Sequence, residues 1–387
     1  MKIRAITMGI PGDALNRAAT WVDAADFLST ASRRFQDLGV DVQTTRLSTS
    51  AWTDASADLG NDVLMERALA YDRRAGDEDI GYVSLGPVPP GDGEADVARP
   101  IAEVIAATQR LFLTVKTARL DGVLTDACSV AATVVRHLAV LTPGGFGNLR
   151  FATIANCPPG IPFFPAAYHT AGHRTFALAL EGADLALAAC STVGPHGDLE
   201  GRLAHMMESA VLPLERVALQ LQEAYGVAYL GADLSPAPFP SDTCSIAAAM
   251  EAASGTPFGS AGTLAVAAVI TRALRRARVR RCGFSGLMLP VLEDSVLARR
   301  STESRFSIHE LLLCSAVCGT GLDTVPIPGD ASHGDVADLI RDVSSLSVAL
   351  KKPLTARLFP VPGKKAGDHT TYDFPYFVNG SVLPLAR

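Results

Sequence analysis

The chain has 387 residues, 48% of them hydrophobic and 19% charged, a balance suited to a globular protein with a large buried core. Its 34 basic and 40 acidic side chains leave a net charge of −6, which gives no electrostatic footprint for nucleic acid or an anionic membrane. No apolar run reaches the roughly 18 residues of a membrane-spanning helix. The seven cysteines are scattered without a C-x-x-C pair and no signal peptide is evident, so free thiols in the cytoplasm are expected.

Residues 1–8 alternate as a β-strand, and 16–38 place Phe27, Ala31, Phe35 and Leu38 on one helical face. Strands are expected over 40–47 and 79–85, and a helix over 98–117. Between the last two, 86–96 is rich in Pro, Gly and Asp and reads as a flexible loop. A strand over 149–156 follows. A long helix is expected over 201–225, with a kink or break at Pro213, then a strand over 227–234 and a buried helix around 261–270. The basic run 272–281 belongs at that helix's C-terminal end, where cations favour the dipole. Helices over 307–317 and ending at 344–350, a strand over 353–359 and an aromatic tail at 373–377 complete the chain. Helix and strand repeated across short Gly/Pro/Asp connections predict an α/β fold, read as a single large domain.

Chemistry-bearing residues gather where strands are expected to end. The run from Asn156 through Cys157-Pro158-Pro159-Gly160 to Tyr168 and His169 makes a rigid, irregular loop with few backbone donors. His169 is suited to acid, base or ligand work near neutral pH. His173, four residues on, would share a helical face with it and could pair with it on a metal, although no third ligand is evident. Asp233 and Ser235 put an acid and a hydroxyl at the end of another strand, the usual edge of a site in α/β folds, or else cap the next segment. The glycine-rich run 255–263 enters an apolar helix, as an anion-binding N-terminus or a close-packed turn would. The segment 282–294 is expected to begin as a strand, turn at Gly283 and Gly286, and end in Glu293-Asp294. Adjacent acids on a regular element cannot both face one site, so at most one of these two is catalytic.

The sharpest candidate is Cys318-Gly319-Thr320-Gly321-Leu322-Asp323. Its glycines let backbone amides approach a ligand, and a thiol of lowered pKa would be a nucleophile. Asp330 closes the same stretch. Arg357 on the last strand, followed by Lys365 and Asp368 in a glycine-flanked loop, suits a carboxylate or phosphate group.

Several of these stretches, in order, carry a family resemblance. The Pro-Pro-Gly loop at 158–160, Gly283-Phe284-Ser285-Gly286-Leu287-Met288-Leu289-Pro290, the Cys318–Asp323 loop and Pro360-Val361-Pro362-Gly363-Lys364 resemble domain-of-unknown-function family 711, across most of the chain. That resemblance implies a fold similar to pyruvate formate-lyase and other glycyl radical enzymes, with a barrel-like core. It implies no agreed reaction. Gly380 lacks the Arg-Val-x-Gly-Tyr pattern that radical chemistry needs, and a shared fold does not carry a shared function. The expectation is therefore a non-radical enzyme acting on a small polar, anionic metabolite. Cys318, Asp323 and His169 would be catalytic. Asn156, Tyr168, Asp233, Ser235, Thr320, Asp330, Arg357, Lys365 and Asp368 would bind substrate. The rival readings are a metabolite-binding or regulatory protein and a glycyl radical enzyme. A divalent cation is compatible with this set, and alanine-rich helices suit a homo-oligomer.

Overall fold

A computed structural model describes residues 1–51, 61–88, 95–170, 172–193 and 197–385. Its strands are β1 (Lys2–Ile10), β2 (Thr45–Thr49), β3 (Tyr82–Val88), β4 (Leu111–Arg119), β5 (Gly122–Val123), β6 (Phe151–Ala155), β7 (Thr175–Glu181), β8 (Ala228–Asp233), β9 (Gly321–Pro328) and β10 (Leu354–Val361). They form a 10-stranded sheet in the order β8-β7-β1-β2-β3-β4-β6-β10-β9, with the short β5 paired to β4. The centre, β1-β2-β3-β4-β6, is parallel. On each flank the direction reverses once: β7 is antiparallel to β1 and parallel to β8, and β10 is antiparallel to β6 and parallel to β9.

The sequence makes the two faces of this sheet unlike. On β1, Ile6, Met8 and Ile10 join a large apolar core with residues of the helices Ala18–Gln36, Thr125–Leu141, Leu199–Tyr225 and His333–Leu350. The intervening residues face the other way, as the two-residue period of a strand requires. Ala5 packs in a separate cluster with Ile161, Phe163, Ala166 and Tyr168 of the Pro-rich loop. Thr7 Oγ1 donates to Pro162 O at 2.7 Å, and Ser84 Oγ of β3 donates to Ala167 O at 2.6 Å. Helices therefore cover one face, and the loop after β6 covers the other.

The expected α/β architecture is what forms, but the sheet is not closed. Its edge strands are β8 and β9, and the segment between 281 and 290 touches each through a single bridge, Ala232 to Arg281 and Pro290 to Asp323. The strand expected at the start of 282–294 does not form. Asp233 takes the amides of Phe284 at 2.7 Å and Ser285 at 2.8 Å, donors that a ladder would have used.

Other boundaries also moved. The helix expected over 98–117 ends at Ala107, and the chain turns into β4. Thr108 Oγ1 donates to Val104 O and Arg150 Nη2 donates to Ile105 O, both at 2.7 Å, so a local hydroxyl and a distant guanidinium satisfy carbonyls of the helix end. The helix Leu199–Tyr225 runs through Pro213 without a break. Residues 40–43 meet β1 through the Ile3–Val42 bridge, and β2 proper begins at Thr45. Of the loop expected over 86–96, Gly86 to Val88 belong to β3 and the helix Ala95–Ala107 takes its end; residues 89–94 lie outside the described residues. Among the described residues, no helix is long and apolar enough to cross a membrane.

Candidate functional site

On the face away from the helices, near the N-terminal ends of β1 to β4, the structure leaves a cavity of about 90 Å³. Its ionic wall is a ladder of alternating charge. Glu181 on β7 pairs with Arg4 on β1 at 3.2 Å, and Arg4 pairs with Glu293 at 2.7 Å. Glu293 also pairs with Arg357 of β10 at 2.7 Å, and Arg357 Nε meets Asp323 Oδ1 of β9 at 2.6 Å. Each member is wholly or largely buried. Burial is the main influence on the Asp323 carboxyl and raises it, while the Arg357 charge opposes that rise. Glu181 is raised for the same reason, against the pull of Arg4.

Arg46, at the start of β2, stands outside the ladder. Its side chain lines the same cavity and is 7% exposed. Among the described residues it forms no ion pair; its Nε donates to Thr44 Oγ1 at 2.8 Å. The guanidinium lies over the rings of Phe164, at 5.1 Å, and Tyr82, at 5.6 Å. These contacts offset part of the desolvation of a buried cation. Burial first, and then the charge of Arg4, pull the guanidinium down from its usual range to about 9. A buried charge is ordinarily paired; this one has no ion-pair partner among the described residues. Gln43 Oε1, in the same wall, is likewise buried with no hydrogen-bond partner among the described residues. Phe112, Phe163, Phe284 and Met288 supply apolar surface.

Four of the residues singled out from sequence meet here: Glu293, Thr320, Asp323 and Arg357. Thr320 Oγ1 donates to Leu287 O at 3.1 Å. Of the acidic pair, Glu293 faces the cavity. Asp294 turns away to cap two helices, accepting from Ser245 Oγ and Ile246 N at 2.6 Å and from Val296 N and Leu297 N at 3.0 and 2.9 Å.

The remaining candidates lie elsewhere. Cys318 is buried in the main core, and burial raises its thiol. The Lys352 ammonium reaches its carbonyl and those of Ser315 and Ala316. His169 is buried where its amide bonds Thr49 O at 2.9 Å and its ring faces Thr175 Oγ1, while His173 sits in an exposed bend, so the two share no helical face. Tyr168 donates to Cys157 O at 2.8 Å, and Asn156, at φ 50°, to Ser347 Oγ at 3.0 Å. Asp233 and Ser235 are fully buried and hold each other and the 284–286 backbone. Asp330, Lys365 and Asp368 are exposed in turns, with Asp368 accepting from the Lys365 amide. Among the described residues, no group of three or more His, Cys, Asp or Glu is arranged to hold a metal ion.

Sequence reading missed Arg4, Arg46, Gln43 and Glu181. A signal for Arg4 existed, since it sits within an apolar stretch of a strand that an α/β sheet would cover on both faces; Arg46 lies among Thr44, Thr45, Ser48 and Thr49 and carried no such signal.

The fold and this cavity define an α/β protein whose sheet carries a buried arginine–carboxylate cluster on the face opposite its helices. The chain belongs to the family described as Uncharacterised ACR (DUF711), which matches residues 1–373. It is similar to UPF0210 proteins of two Pyrobaculum species. The protein of P. aerophilum is 32% identical over 349 residues, covering 86% of this chain and 76% of the relative. That of P. arsenaticum is 30% identical over 396 aligned positions, covering 95% and 87%. A UPF0210 protein of Methanopyrus kandleri is 28% identical, covering 95% and 88%.

Proposed function

We propose that this protein is an enzyme acting on a small polar metabolite through its anionic group, in the cavity beside β1, β2, β9 and β10. The observation that carries this reading is Arg46, a buried guanidinium with no acidic partner among the described residues, walled by aromatic rings. Arg46 seats the anion. Arg357, which sequence alone suggested for that task, is already matched by two carboxylates. Its work is to fix Glu293 and Asp323. Asp323 handles the proton: one oxygen is held by Arg357, and the other has no hydrogen-bond partner among the described residues. A carboxyl raised by burial is a group tuned for proton transfer. A cavity of about 90 Å³ suits a few non-hydrogen atoms and is well below the space a drug-sized ligand fills.

A barrel-like core belongs to the same proposal. The bridges that bring one segment against both edge strands support it. Cys318 and Gly380 do not line the cavity, so the radical reading draws no support from it.

The test is a thermal-shift screen against small metabolites, since a ligand that prefers the folded state raises the melting temperature. Arg46→Gln should abolish the shift given by any hit. Asp323→Asn should lose turnover, and any shift it keeps should still depend on Arg46. A shift with no turnover, indifferent to Asp323→Asn, would make the protein a binder. A shift indifferent to Arg46→Gln would remove the site.

A further inference from the structure

The cavity's chemistry narrows the ligand further, on the reading that Arg46 seats its anionic group. We infer that the ligand is a small zwitterion with one carboxylate and one ammonium, that is, a small amino acid.

Three observations converge. Arg46 offers its terminal N–H edge, because Nε is already committed to Thr44 and the guanidinium carbon lies over the rings of Phe164 and Tyr82. That edge matches one planar carboxylate bidentately. The other unsatisfied groups of the wall are acceptors: Gln43 Oε1, buried and without a partner among the described residues, and the second oxygen of Asp323. A ligand that met only Arg46 would leave Gln43 Oε1 unsatisfied, and a buried acceptor without a donor is costly. The ligand therefore carries a donor as well as a carboxylate.

Charge then chooses between a hydroxyl and an ammonium. The ladder holds three carboxylates, Glu181, Glu293 and Asp323, against two guanidiniums, Arg4 and Arg357. At full ionisation it is one negative charge in excess, and Arg46 balances it, so the site is neutral but polarised. A zwitterion laid along that polarity keeps the buried cavity neutral. A hydroxy acid would add an unmatched negative charge, and an inorganic phosphate would add more. The volume allows about the size of glycine, alanine or serine.

Isothermal titration of the purified full chain near pH 7.5 with near-isosteric probes separates the alternatives: glycine, alanine and serine against glycolate, lactate, propionate and inorganic phosphate. The expected result is that at least one amino acid binds tenfold or more tighter than its hydroxy-acid or deoxy isostere. Arg46→Lys keeps the cation but loses the planar fork. It should weaken that amino acid at least tenfold, with an unchanged circular dichroism spectrum. Asp323→Asn keeps the shape but not the charge, and should pull the amino-acid preference toward unity. If lactate, propionate or phosphate binds as tightly as the amino acids and still depends on Arg46, the zwitterion inference fails and the anion site stands. If no probe responds to Arg46→Lys or Arg46→Gln, both fail.

Discussion

Burial decides what each ionisable side chain of this protein does. Cysteines 128, 157, 190, 244, 282, 314 and 318 are free thiols, and all have their pKa raised, with burial the largest cause in each; Cys157, Cys190 and Cys314 reach about 12. A thiol in that state is a small hydrophobe, and this separates Cys318 from the nucleophile its sequence context suggested. The same burial gives Glu293 its weight, because it bridges two guanidiniums at 2.7 Å with 7% exposure. Glu293→Ala would leave two buried cations short of a partner. Loss of a buried partner costs about 3–5 kcal/mol, and removal of an exposed one less than about 1 kcal/mol. Asp242, paired with Arg299 on the surface, is the matched control. Urea denaturation of Glu293→Ala and Asp242→Ala should show that gap. Equal midpoints would mean that water reaches the ladder and screens it.

Among the elements, the loop after β6 does most to make the site. Its prolines and glycine predict an irregular path, but nothing local says that the path folds back over the sheet. Two hydroxyls hold it there, from Thr7 and Ser84, each projecting from a strand face that the helices do not use. Thr7→Val keeps the shape and removes the donor, stranding the Pro162 carbonyl. The expected loss is about 1–3 kcal/mol by chemical denaturation. It should also raise amide exchange at 160–168, and an unchanged exchange pattern would show that packing alone holds the loop. The end of the helix Ala95–Ala107 was hidden for a related reason. Leu111 to Val115 is a mostly apolar run of the kind that a buried strand and a helix share. What ends the helix is Arg150, more than forty residues away in sequence.

On the scale of the whole molecule, the segment between 281 and 290 ties the two edges of the sheet and brings Glu293 against Arg4 and Arg357. It fits because two glycines meet back to back: a Cβ added to Gly286 would lie 2.6 Å from the Gly319 Cα. Gly286→Ala must therefore push the segment off the loop before β9. It should lower the melting temperature and weaken ligand-dependent stabilisation together. A variant with normal stability and normal ligand shift would show that the segment does not set the cavity wall.

The glycines at 286 and 319, the Pro-rich run and the paired acids were all visible in the chain as punctuation. So were the alternation of β1, the face of the helix Ala18–Gln36 and most of the last strand, expected over 353–359 and observed over Leu354–Val361, because periodicity and turn chemistry are local properties that neighbouring residues write directly. The adjacency of Glu293 and Asp294 even indicated that no more than one would face a site. Which of them did so, and that Arg46 rather than Arg357 is left without an ion-pair partner among the described residues, depended on pairings 34 to 289 residues apart in sequence. Pairing and desolvation are sums over everything that packs around a group, and only the assembled sheet, its covering loop and the 281–290 segment define that surrounding.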